Sequence, residues 1–326
     1  MSGNILEVKD LEVSFTAHGR TVTPVDGVSL TVRRGEALGI AGESGSGKSL
    51  ALKSIIGLLP PNAAARGDLR YALDEKEPIP YSPTGVHGHG ISIIFQEPMT
   101  ALNPTMRVGD LIAEGPRMHH GLDKNAARTK AVELMRRVGI PTPERRAKMW
   151  PHQLSGGLRQ RVMIATALST EPRLLLCDEP TTALDVSIQD QILGLLQELR
   201  TSLGMSIIFV SHDLAVLGEL CDRLAIMYAG RIVETGPTDQ VFANPRHPYT
   251  EALMTSVPSF DASAEQLQGI AGRPPDPRNF PPGCRFAPRC GYVQGDCSSA
   301  VHELRTSGDG RATACIHPEL IEGVKE

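Results

Sequence analysis

An α/β architecture with a parallel sheet around a phosphate-binding loop is what this sequence points to, and three stretches carry the argument. The first is Ala37-Leu38-Gly39-Ile40-Ala41, an apolar run that leads into Gly42-Glu43-Ser44-Gly45-Ser46-Gly47-Lys48-Ser49 and then into Leu50 to Leu59. Positions 52, 55, 56 and 59 are apolar and share one helix face, so the order is strand, glycine-rich loop, helix. The second is Leu174-Leu175-Leu176-Cys177-Asp178-Glu179-Pro180, a continuous apolar run ending in two carboxylates. A run of that kind is a strand buried on both faces, and it delivers the carboxylates at its C-terminal edge, where α/β sheets bind ligands. The third is Ser206-Ile207-Ile208-Phe209-Val210, a strand ending in Ser211-His212-Asp213.

The glycine-rich loop states its chemistry most plainly. Without Cβ atoms, Gly42, Gly45 and Gly47 let backbone N–H groups curl around phosphate oxygens, and the helix N-terminus adds its positive end. Lys48 can reach the terminal phosphates of a nucleoside triphosphate, and the Ser49 hydroxyl can ligand Mg²⁺. The alternative is an ordinary glycine turn before a helix. The match from Gly42 through Ser44 and Ser46 to Ser49, in pattern and in context, disfavours it.

A chain of 326 residues has room for two domains or one large one. The net charge of -4 leaves no global basic footprint for nucleic acid. No apolar run approaches the roughly 18 residues of a membrane span, and Met1 to Asp10 lack the pattern of a secretory signal. With ATP chemistry in the chain, the cytosol is the expected compartment, and six cysteines there favour metal binding or buried thiols over disulfides.

In chain order, residues 1–41 read as strands. Leu6, Val8, Leu11, Val13 and Phe15 nearly alternate with polar residues, and Val28, Leu30 and Val32 form a second alternation. Phe15 could offer its ring to an adenine or serve as a core aromatic. Residues 60–90 are rich in Pro and Gly and read as loops or edge strand. Ile91 to Phe95 is a buried strand. Gln96, at its end, could touch the metal or its water, or simply cap. From about 97 to 165 the pattern is helical, over Val108 to Glu114 and Ala126 to Val138, as in an inserted subdomain. It closes on Leu154-Ser155-Gly156-Gly157-Leu158-Arg159, a second glycine-bearing helix start that can cradle an anion. A plain N-cap would account for Ser155 but not for the two glycines after it. Asp178 suits a Mg²⁺ shell, Glu179 suits a general base on water, and His212 can reach a γ-phosphate. Ala183-Leu184-Asp185 precedes a helix from Gln189 to Leu203. Leu224 to Tyr228 and Arg231 to Glu234 form a hairpin through Ala229-Gly230.

Taken together, the loop from Gly42 to Ser49, Gln96, Leu154-Ser155-Gly156-Gly157, Asp178-Glu179, Asp185 and His212, in that order, resemble the ATP-binding subunit of an ABC transporter. The resemblance runs from about residue 5 to 240. It implies a RecA-like P-loop NTPase core with an inserted helical subdomain, and an ATPase domain over 1–244. It places Phe15 at the adenine and Gln96 in the loop that reports to membrane subunits. Ser155, Gly156 and Gly157 would face ATP on an opposing subunit, and Asp185 would lie at that dimer interface. Lys48, Glu179 and His212 would be catalytic, and Ser49, Gln96 and Asp178 would surround Mg²⁺. Leu158 departs from the Gln that many signatures carry, yet the serine and glycines are intact.

Gln96-Glu97-Pro98-Met99-Thr100-Ala101-Leu102-Asn103-Pro104, Pro245-Arg246-His247-Pro248-Tyr249-Thr250 and the cysteine-bearing tail are similar to dipeptide and oligopeptide importers. That implies a second, different ATPase subunit, two membrane permeases, an external substrate-binding protein, and a place at the cytoplasmic face of a bacterial membrane. Related machines carry nickel, glutathione or other small solutes. A soluble ABC ATPase acting on ribosomes or DNA is a different class, and the single P-loop and lack of a heptad tract argue against it.

The tail, residues 245–326, holds Cys284, Cys290, Cys297 and Cys315, with five, six and seventeen residues between successive members. Cys177 and Cys221 lie in apolar stretches and read as buried small hydrophobes. The tail spacing matches neither the tight pairs of zinc sites nor the common ferredoxin runs. It leaves an iron–sulfur cluster, zinc and unmetallated thiols open. The resemblance implies a [4Fe–4S] cluster.

Overall fold

The computed structural model describes residues 3–17, 19–72, 78–82, 90–182, 184–256, 269–299 and 303–322. Of the stretch 60–90, read as loops or edge strand, 73–77 and 83–89 lie outside the described residues, as does Ala183, while residues 63–71 form a strand paired on both sides and not an edge. The strands expected over 1–41 are present: β1 (Asn4–Ala17), β2 (Arg20–Arg33) and β3 (Ala37–Ala41). The near-alternation in β1 has a local cause. Leu6 and Val8 are buried, as are Leu11 and Val13, and the phase shifts by one at Asp10, whose φ is 50°. One extra residue returns the next apolar pair to the core side, as a β-bulge does.

Helix α1 (Lys48–Ile55) is shorter than the periodicity suggested. Gly57 stops it at φ 72°, and the Leu58 N–H returns to the Lys53 carbonyl at 2.7 Å. A left-handed glycine closing a helix that way overrides the apolar spacing that continues to Leu59. Strands β4 (Ala63–Tyr71), β5 (Ile79–Pro80) and β6 (Ile91–Ile94) follow, then α2 (Pro98–Ala101), α3 (Val108–His119), α4 (Lys124–Arg137), α5 (Pro143–Arg146) and α6 (Gly156–Leu168). Strand β7 is Leu174–Asp178. Helix α7 (Val186–Leu203) begins earlier than Gln189 because the Asp185 side chain caps it, accepting from the Ile188 N–H at 2.9 Å. The rest comprises β8 (Ser206–Ser211), α8 (Leu214–Leu220), β9 (Arg223–Tyr228), β10 (Arg231–Pro237), α9 (Thr238–Ala243), α10 (Pro248–Thr255), β11 (Arg305–Thr306), β12 (Ala312–Thr313) and α11 (Glu319–Glu322).

These elements form two compact units. The first contains residues 71–208 with 1–5 and 33–35; the second contains 6–32, 36–70 and 209–326. In the first, β6 and β7 run parallel with Ile94 opposite Cys177, and all five residues of β7 are buried. Helices α3, α4 and α6 pack on one another, and α6 also packs on β6. In the second, β3 runs parallel to β9, and β9 pairs antiparallel with β10 through the expected turn at Ala229-Gly230. Its smaller sheet holds β2, β1 and β4 in that order.

The tail has more framework than its composition suggests. Strand β12 pairs with β10, placing Thr313 opposite Glu234, and β11 pairs with β12. Glu234 is fully buried and bonds to Arg311 at 2.8 Å, which is itself 3% exposed. The same carboxylate accepts the N–H groups of Arg246 and His247 at 2.9 Å. A buried charge survives only when paired and hydrogen-bonded, and here the partners come from two separate stretches of chain.

Candidate functional site

In the second unit, β3 ends at Ala41 and the phosphate loop follows. Gly42 sits at φ 154°, and a Cβ there would stand 2.1 Å from the Met227 carbonyl oxygen. Only glycine fits, because the loop passes against β9 with no room for a side chain. Ser44 and Gly45 are exposed, whereas Ser46 and Lys48 are buried at 4% exposure each. The Lys48 ammonium donates to the carbonyls of Gly42 at 2.7 Å and Glu43 at 3.0 Å. It is folded back on its own loop, at the N-terminus of α1. Gly47 precedes that helix and Ser49 is its second residue. The buried Ser46 hydroxyl has no hydrogen-bond partner among the described residues, a donor suited to an incoming phosphate oxygen. Phe15, half-buried on β1, and His212, exposed just past β8, belong to the same unit.

In the first unit, parallel pairing does the positioning. Since Ile94 stands opposite Cys177, Gln96 and Glu179, each two residues further on, emerge at the same sheet edge. The Gln96 amide donates to the Glu179 carboxylate at 3.3 Å, and the Thr182 hydroxyl donates to the same oxygen at 3.0 Å. Glu179 is at φ 46°, an uncommon backbone for a carboxylic side chain, while Asp178 before it is 2% exposed. Strained residues of this kind cluster at functional sites.

The Leu154-Ser155-Gly156-Gly157 stretch does begin a helix, α6. Ser155 is exposed and makes no capping hydrogen bond, so a plain N-cap does not explain it. Gly156 has open space around it, whereas a Cβ on Gly157 would stand 3.0 Å from Ile188 Cγ2. One glycine therefore has a packing reason and the other leaves the helix end bare. Asp185 accepts from the Ile188 N–H and the Ser187 hydroxyl, and these bonds hold its carboxyl below the usual range.

The four tail cysteines, separated in sequence, line one cavity together with His247, Phe286 and His317. All are free thiols. Backbone N–H groups of Tyr292 and Gln294 donate to the sulfurs of Cys290 and Cys297, each at 3.4 Å. Burial, reinforced by the neighbouring thiols, pushes Cys284 and Cys290 up and Cys315 up to about 12. Four thiolates lining one cavity need a cation to exist, and the directed N–H donors suit sulfurs that carry charge, so the residues fit a metal-based group. Asp296, Cys297 and His317 also hold donor atoms within 4.8 Å of one another. Cys177 and Cys221 are buried at 0% and 6% exposure, as expected.

Two contributions to this unit were missed in the sequence. Arg289 pairs with Glu43 of the phosphate loop at 2.7 Å, and the Tyr249 hydroxyl accepts the Glu43 N–H at 2.7 Å. The only visible signal was an arginine beside a tail cysteine.

A family model described as ABC transporter matches residues 25–182, and one described as the C-terminal region of oligopeptide/dipeptide transporters matches residues 233–297. The chain is 49% identical over 295 residues to the oligopeptide transport ATP-binding protein OppD of Bacillus subtilis, covering 89% of this chain and 82% of that protein. It is 48% identical over 289 residues to the dipeptide transport ATP-binding protein DppD of the same organism, covering 88% and 86%. Among solved structures, cbiO1 of Clostridium perfringens, part of an ABC transporter complex, superposes with a TM-score of 0.61 at 30% identity, covering 74% of this chain and 91% of that one. A dimeric ATP-binding cassette bound to ADP and phosphate gives 0.62 at 26% identity, covering 72% and 98%. Two family models, relatives matched over more than four-fifths of both chains and the shared fold agree: the chain belongs to the ATP-binding proteins of the ABC transporter family.

Proposed function

We propose that this chain binds and hydrolyses ATP to energise an ABC importer of dipeptides or oligopeptides. The observation that carries the reading is the near 50% identity to peptide-transport ATP-binding proteins over close to nine-tenths of the chain, joined by the match of residues 233–297 to the C-terminal region of oligopeptide/dipeptide transporters. We divide the chain into an ATPase domain, 1–244, whose helical subdomain spans about 97–165, and an extension, 245–326.

In this reading Phe15 stacks on the adenine. The backbone of Gly42, Ser44, Gly45, Ser46 and Gly47 wraps the phosphates, and Lys48 exchanges its two loop carbonyls for phosphate oxygens. Ser49, Asp178 and Gln96 would hold Mg²⁺, which supplies charge neutralisation at the terminal phosphates. Glu179, steadied by Gln96 and Thr182, takes the proton from the attacking water, and His212 orients the γ-phosphate. Ser155, Gly156, Gly157 and Asp185 serve the ATP of an opposing ATPase subunit. The bare amino end of α6 supports that role. We place this second subunit as a different chain, beneath two permeases fed by an external binding protein, at the cytoplasmic face of the membrane. No nucleic acid is involved.

Cys284, Cys290, Cys297 and Cys315 would hold a [4Fe–4S] cluster, with zinc as the alternative.

The test is uptake of labelled dipeptides and of nickel in cells lacking this gene, with wild type or Glu179→Gln restored. Peptide uptake lost and rescued only by wild type is expected. Loss of nickel uptake alone would overturn the substrate and leave the ATPase.

A further inference from the structure

The tail segment Cys284-Arg285-Phe286-Ala287-Pro288-Arg289-Cys290 places an arginine beside each of two cavity thiols. Neither arginine faces solvent: their side chains are 10% and 4% exposed. Arg289 grips the Glu43 carboxylate at two points, Nη1 to Oε2 at 2.7 Å and Nη2 to Oε1 at 3.0 Å. It is fixed in turn by donating to the Ala271 carbonyl at 2.8 Å and the Tyr228 hydroxyl at 3.3 Å.

Glu43 is the second residue of the phosphate loop, and its polar groups are engaged from both directions. Its N–H donates to the Tyr249 hydroxyl at 2.7 Å. Its carbonyl accepts from Lys48 at 3.0 Å and from the Ser46 N–H at 3.2 Å. Phe286, between the two arginines, packs edge-on against Tyr249 and Tyr228 with centroids 5.4 and 5.2 Å away. Arg285 makes a second arm, bonding to Asp26 and to the Ala229 carbonyl. The next residue, Gly230, donates its N–H to the Ser46 carbonyl at 2.9 Å. Glu43 is therefore held directly from the cysteine segment, and Ser46 from the Ala229-Gly230 turn that Arg285 touches.

We propose that Arg289 is a positioning residue for nucleotide binding, through which the cysteine segment clamps the phosphate loop at Glu43 and sets the affinity for ATP. The inference rests on the reading that residues 42–49 bind ATP. When Lys48 turns to phosphate it releases the Glu43 carbonyl, and the loop loses an internal tie at the moment of binding. Tyr249 and Arg289 then keep the Glu43 peptide in place. A loop held in shape beforehand loses less conformational freedom when it closes on a ligand. The two-point grip needs the planar fork of arginine, which a lysine ammonium does not reproduce.

The test is equilibrium binding of a fluorescent ATP analogue with Mg²⁺ to the full chain, with a thermal melt beside each titration. Arg289→Met and Glu43→Gln are each expected to weaken binding about tenfold, Arg289→Lys to recover only part, and the double variant to bind no worse than either single one. Should Arg289→Met fail to fold, Glu43→Gln still decides, since it removes the charge and one of the two acceptors Arg289 grips and leaves the tail's own bonds intact. Lower melting temperatures with unchanged affinity, or additive losses in the double variant, would overturn the clamp. If wild type and Lys48→Ala bind equally, the ATP reading itself fails; if Lys48→Ala alone loses binding, only the clamp does.

Discussion

Glu179 shows how much one residue reveals once its surroundings are known. In sequence it is half of a common Asp-Glu pair. In the fold its backbone is at φ 46°, a conformation that costs about 1–3 kcal/mol for a non-glycine, and its carboxylate is held by Gln96 and Thr182. Spending stability to aim a carboxylate suits a base. Glu179→Gln in the assembled transporter is expected to retain ATP binding and to lose hydrolysis by about 100-fold or more, measured as phosphate release. Lys48 is the complementary case. Its buried ammonium is satisfied by two loop carbonyls, so Lys48→Ala is expected to abolish measurable nucleotide binding in the same titration that wild type passes.

Elements carry a different kind of prediction, because their ends and edges depend on distant partners. Helix α1 stops at Ile55 through Gly57, so Gly57→Ala should destabilise by about 1 kcal/mol, read from the urea midpoint. Strand β12 is pinned to β10 by Arg311 and Glu234 in a setting closed to water. Arg311→Met leaves that carboxylate buried without its counter-ion and should cost about 3–5 kcal/mol. The exposed Arg278–Asp276 pair makes a fair control: Arg278→Ala should leave the same unfolding curve unchanged.

At the scale of the chain, the tail stands out, since residues 209–326 share a compact unit with the phosphate loop. If the four thiols hold a cluster, anaerobic purification should yield a coloured protein with iron and sulfide in equal amounts. Stripping it should lower the melting temperature, because metal binding in a loop-rich segment is folding energy. Colourless, folded, metal-free protein would sink the cluster.

Residues 42–49, Gln96, residues 155–157, Asp178-Glu179 and the hairpin at Ala229-Gly230 were legible because their logic is local. Each depends on a glycine, a hydroxyl or a carboxylate at a fixed offset from a strand or helix end, and chain geometry alone sets those offsets. Periodicity likewise announced β3, β7 and β8 as buried strands. It erred where something other than burial decided: at Gly57, where backbone chirality ended a helix early, and at Asp185, where a cap began one sooner. What no local pattern could show was which distant groups meet. Arg289 and Glu43 are 246 positions apart, and the four cysteines follow no familiar spacing. Their meeting depends on β9, β10 and β12 lying side by side, a consequence of many weak burial terms summed over a whole unit. The candidate reactive groups could be named from the order of residues; their neighbours came from packing.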